Sequence, residues 1–150
     1  MSSNFKYTAG LRNVGSYQIS GHPFMSGSTI SGANKCQMIE FPYVCRSITV
    51  INTGASNDMR IHFQSGSGVT EITLNGATGE QNIADTADVI ALSHFITVPK
   101  GDGSMTVDVR SKNIYLSCGA SGGTTYQIFA ELTSIPTERM YHLTGSGITE

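Results

Sequence analysis

The sequence predicts an all-β protein: a single-domain antiparallel β-sandwich, jelly-roll-like, with extended N- and C-terminal arms. Three observations lead there. Its 18 Ser, 16 Thr and 17 Gly fill about a third of the 150 residues, a composition that penalises helix and favours strands joined by tight turns. Apolar and polar residues alternate with period two through the middle of the chain, which marks antiparallel sheet with one wet face. Clusters of turn residues interrupt that alternation at short intervals. The length fits one core, and a chain of this size buries roughly 68–70% of its unfolded surface, enough to dispense with metal or disulfide staples.

Taken in order, residues 1–34 read as an extended N-terminal arm. Gly10, Gly15, Gly21, Gly27 and Gly32 recur every five or six residues with Pro23 among them, leaving room only for short strands. Leu11, Val14, Tyr17, Ile19, Phe24 and Met25 are nonetheless too apolar for a solvated tail. Two placements stand side by side: short strands on this chain's own core, or a strap on a neighbouring subunit.

Residues 35–132 form the predicted sandwich. Met59, Ile61 and Phe63 oppose Arg60, His62 and Gln64; Met105, Val107 and Val109 oppose Thr106, Asp108 and Arg110. Tyr126, Ile128, Ala130 and Leu132 oppose Gln127, Phe129 and Glu131. Runs at 36–41, 44–52, 69–75, 89–98 and 112–118 bring the strands to about eight. Gly101-Asp102-Gly103 suits a short hairpin loop, since glycine supplies positive φ. Only 80–92 has room for a helical turn or two. Residues 133–150 form the C-terminal arm: Pro136 stops any strand, and Met140, Tyr141 and Leu143 leave apolar side chains beyond it.

Composition also excludes. Charged residues are 13% of the chain and the net charge is −2, so no positive stripe is available for nucleic acid. The longest apolar run, Val89 to Leu92, is far short of a membrane span. Cys36, Cys45 and Cys118 are odd in number and lack Cys-x-x-Cys spacing, reading as small buried hydrophobes in a reducing cytoplasm.

Motifs of catalysis and ligation are weak. Gly119-Ala120-Ser121-Gly122-Gly123 matches G-x-S-x-G, but a nucleophile elbow needs a helix after it, and here strand continues. The reading is a hairpin loop and no enzyme. His22, His62, His94 and His142 lack ligand spacing. His62 falls on the polar phase of its strand and is expected in solvent, whereas His94, in phase with Leu92, Ile96 and Val98, is expected as a hydrogen-bonded core histidine. Asp85, Asp88 and Asp102 supply too few oxygens for calcium. Neither cofactor nor metal is expected. A carbohydrate-binding module is the alternative binding role, disfavoured because the chain has no Trp for stacking on sugar faces.

The segments AGLRNVGSYQISGHPF (9–24), QMIEFPYVCRSITVINTG (37–54) and ELTSIPTERMYHLTGSGITE (131–150) resemble small virion structural proteins of tailed phages that infect marine bacteria and cyanobacteria. The similarity runs through most of the chain and is strongest at its ends. It implies a virion component assembled in the host cytoplasm: a capsid decoration, or cement, protein on the capsid surface, with a tail or baseplate component as the alternative. The implied partners are the major capsid protein and the chain itself, as a homotrimer. No catalytic residue carries over. Leu11, Arg12, Tyr17 and Phe24 in the first arm, and Arg139, Met140, Tyr141 and Leu143 in the second, are the expected contact residues, an expectation motivated by the apolar residues in segments without strand alternation.

Overall fold

The computed structural model describes residues 10–12, 14, 15, 21–32, 35–63, 81, 82, 94–119 and 121–140. Their elements are the strands β1 (His22–Ile30), β2 (Lys35–Asn52), β3 (Met59–His62), β4 (Gln81–Asn82), β5 (Ile96–Val98), β6 (Gly103–Val107), β7 (Ser111–Cys118) and β8 (Thr124–Pro136). A short 3-10 turn, Thr137–Arg139, follows. All pairings among these strands are antiparallel. The order is β1-β8-β2-β7-β3-β5, with β4 and β6 also on β2, and this path does not close on itself.

The long strand β2 organises everything else. Its first half, Lys35 to Glu40, pairs with β7. Its second half, Ile48 to Asn52, lies between β8 and β6. The register shifts between Glu40 and Cys45 on one ladder, and again between Tyr43 and Ser47 on the other. An extra residue bends and twists a strand in this way. Sequence alternation separates 36–41 from 44–52, whereas the chain runs through Pro42 without a break. Pro42 is exposed within the bulged stretch, where its missing N–H takes nothing from the ladder.

The sheet therefore has two parts that share β2. One part holds β4, the start of β2, β7, β3 and β5; the other holds β1, β8, the end of β2, and β6. Side chains of the two parts touch one another. Tyr126 Oη donates to Gln37 Oε1 at 2.7 Å, Gln37 Nε2 donates to Thr29 O at 2.7 Å, and Phe24 packs edge-on against Phe41 with centroids 5.2 Å apart. Residues of both parts, Ile39, Phe41, Ile48, Val50, Met59, Ile61, Ile114, Leu116, Ile128 and Leu132 among them, are buried in one cluster. Each such side chain contributes roughly 1.5–3 kcal/mol by leaving water.

Several expectations take a different form in the structure. His22–Ile30, placed in the first arm by sequence, is a full strand in register with β8 from His22↔Leu132 to Ile30↔Thr124. This is the own-core placement of the two that the sequence allows. β8 in turn runs past residue 132 and ends at Pro136, opposite Tyr43. Gln81–Asn82, expected near a helical turn, forms a two-residue bridge to Lys35–Cys36. The turn Gly101-Asp102 does adopt positive φ, +71° and +63°. It joins β5 to β6, which pair with β3 and β2 respectively and not with each other, so it is a crossover turn and not the tip of a hairpin. The predicted strand at 69–75 lies outside the described residues.

Candidate functional site

The two ends named by sequence converge. Because β1 and β8 are antiparallel, the start of β1 lies beside the end of β8. His22 there faces the Tyr43 ring at 6.0 Å, and Tyr43 pairs with Pro136. Of the expected contact residues, Phe24 is half-buried against Phe41 and so serves this chain's own core. Arg12 and Arg139 are exposed, while Met140 is half-buried and its N–H donates to Thr137 O at 3.0 Å. Leu11, also half-buried, accepts through its carbonyl a hydrogen bond from Arg110 Nη1 at 3.2 Å. Tyr17, Tyr141 and Leu143 lie outside the described residues.

An apolar patch that is not among the expected contact residues stands on the outer face of β1 and β8. Met25 is 77% exposed and Phe129 is 39% exposed, and the two are direct cross-strand partners. Gly27, opposite Gln127, contributes no side chain. A hollow of about 470 Å³ therefore opens among Met25, Ser26, Gly27, Ile51, Gln127, Ile128 and Phe129. The signal is present in the sequence, since Phe129 is an aromatic in the wet phase of an otherwise regular alternation. Beside the patch, Arg46 Nε donates to Glu131 Oε2 at 2.6 Å, with both side chains well exposed.

The other part of the sheet buries polar groups. His62, expected in solvent, is 1% exposed. Its Nε2 lies 3.1 Å from Ser117 Oγ and 3.9 Å from Cys36 Sγ, and its ring stacks on Tyr115. The polar phase of β3 misleads here because β7, which pairs with β3, and the start of β2 on the far side of β7 are buried on both faces. A serine beside a histidine has the elements of an activated nucleophile, but Ser117 has no exposed surface for a substrate to reach. Burial pushes the Cys36 and Cys45 thiols up to about 12, so neither is a thiolate near neutrality. All three cysteines are buried and no disulfide joins them.

Of the other residues that the sequence singles out for chemistry, Ser121 lies in the exposed turn between β7 and β8. Strand flanks it on both sides, so the elbow geometry is absent. His94, expected hydrogen-bonded in the core, is half-buried, and its Nδ1 lacks a partner among the described residues. Ile96 on the same phase is exposed at the short β5, so this stretch is a margin of the core rather than its centre. Among the described residues no three His, Cys, Asp or Glu side chains gather as a metal site, and no helix is long and apolar enough to cross a membrane. No family model, no curated protein and no solved structure matches the chain.

Proposed function

We propose that this chain is a structural component of a tailed-phage virion: a capsid decoration protein that binds the shell's exterior as a homotrimer and stabilises it without chemistry. The resemblance of its two ends and of the β2 segment to such proteins supports this reading. The structural observation that carries it is the Met25–Phe129 patch on an outward sheet face. Large apolar side chains in water gain their burial only against another surface. The two parts of the sheet are, in this reading, the layers of a sandwich whose rigid frame presents that face. Each subunit bridges neighbouring shell proteins, so expansion of the shell must also break these contacts, and repetition over many copies makes weak contacts additive through effective concentration.

The test is binding to purified phage heads stripped of the protein. Wild-type chain saturates discrete sites, while Met25→Asp and Phe129→Asp lose at least tenfold in occupancy and keep the thermal midpoint of the wild type. Truncating residues 1–20, which leaves β1 whole, measures the first arm separately. Wild-type protein that never adheres to heads, or the Asp variants binding unchanged, overturns the reading.

A further inference from the structure

A second concave surface lies at the opposite margin of the sheet, around Arg60. It is a groove of about 480 Å³ lined by Ser56, Asn57, Asp58, Arg60, Phe95, Thr97, Lys100 and Gly119. The Arg60 guanidinium sits over the Phe95 ring, 4.8 Å from its centroid. Gly119 also lies against the guanidinium, so close that even a Cβ there would collide with Nη2. Arg60 is thus confined by an aromatic face and by a bare backbone. Its Nη1 is buried and has no hydrogen-bond partner among the described residues, a cost in free energy that a small shift of the side chain toward an acceptor in the groove would relieve.

The walls are braced before any ligand comes. Asn52 Nδ2 donates to Asn57 O and to Val98 O at 2.9 and 3.2 Å. Asn57 Nδ2 donates to Gly123 O at 2.6 Å, and the Lys100 backbone N–H donates to Asp58 Oδ1 at 2.9 Å. Gly101 and Asp102 N–H groups bind Gly54 O and Asn52 O at 2.8 and 2.9 Å. Such preorganisation reduces what a ligand must order on binding.

We propose that this groove receives one carboxylate side chain from an acidic segment of a partner protein; the inference rests on the assembly role above. A guanidinium held over a ring face by its central carbon keeps N–H donors that a carboxylate can accept from. With Arg60 and Lys100 against Asp58, the groove carries one net positive charge, which balances a carboxylate and not a doubly charged phosphate. The exposed Thr97 and Ile96 of β5, beside the groove, offer polar and apolar contact for flanking residues of a polypeptide.

Amide-detected NMR titration of the full chain tests this. The probes are acetyl-Gly-Glu-Gly-amide, its Gln counterpart, glucuronate and inorganic phosphate. The Glu peptide moves the Phe95, Arg60 and Gly119 amides saturably, and the Gln peptide binds at least tenfold more weakly. Arg60→Gln and Gly119→Ala each weaken the Glu peptide at least tenfold; Lys100→Gln, on an exposed turn that leaves the fold intact, weakens it about threefold. Equal response to the Glu and Gln peptides, or tighter binding of glucuronate or phosphate, overturns the proposal. Head binding of the wild type, measured beside the peptide titration, separates the two readings. Wild type binding heads while the Glu peptide gives no response rejects the groove alone; the peptide binding while wild type ignores heads rejects the assembly role alone.

Discussion

The two halves of β2 live in different surroundings. From Cys36 to Ile39 every residue is buried, whereas from Ile48 to Asn52 buried and half-exposed residues alternate. The first half pairs with β7, itself buried from Asn113 through Cys118, and the second with β8, whose Gln127 and Phe129 face water. Alternation reports the inside of a sheet only where the other side is wet. Where both faces are covered, the polar phase survives by internal hydrogen bonding instead, as His62 with Ser117 and Gln37 with Tyr126 demonstrate.

The sharpest break of that comparison is a pair of truncations. Leu116→Ala, in the doubly buried β7, is expected to cost about 2–5 kcal/mol. Met25→Ala, on the outward face of β1, should stay within about 0.5 kcal/mol of wild type. Urea unfolding of both variants checks this, and similar losses would erase the distinction between the halves. Next in size is Ser117→Ala. Removing its hydroxyl takes away a buried partner of His62, for an expected loss of about 1–3 kcal/mol.

These contrasts also explain what is readable from the chain alone. The buried phase of β8 is legible from Tyr126, Ile128, Ala130 and Leu132, because one face of that strand is wet. His62 is not, because its burial depends on strands distant in sequence that only tertiary structure brings together. β1 is hidden by Gly21, Pro23 and Gly27, which look like an irregular arm. Its strand status comes from nine successive pairings with β8 that local propensity does not encode. Pro42 likewise reads as a strand break, and only the bulge makes it tolerable. Of the candidate contact surface, Phe129 is visible as an aromatic in the wrong phase. Met25 becomes its partner only once the β1–β8 register is known.

Alkaline pH probes both parts at once through the thiols of Cys36 and Cys45. Burial raises each from 9.0 to about 12. Below pH 9 both thiols are protonated whether the chain is folded or not, and the full stability is present. Above pH 9 the unfolded chain releases protons that the folded chain keeps, so stability falls until the folded pKa is reached. The loss is about 1.4 kcal/mol per pH unit for each thiol. Thermal unfolding between pH 8 and 10.5 measures the slope, and Cys36→Ala should make it shallower.

The smallest effect belongs to an ion pair on the exposed half. Arg46 and Glu131 meet at 2.6 Å, but their side chains are 39% and 41% exposed. Water and salt screen such a pair, and its net contribution is at most about 1 kcal/mol. Glu131→Gln should therefore lower stability by less than that, and the difference from wild type should vanish at about 1 M salt, where the screening length falls to roughly 3 Å. A loss of several kcal/mol that persists in salt would instead make this bridge a main support of the β1–β8 half. The ladder from His22↔Leu132 to Ile30↔Thr124 and the buried phase beneath it argue otherwise. That half is held from below by apolar side chains, which leaves its upper face available for contact with another protein.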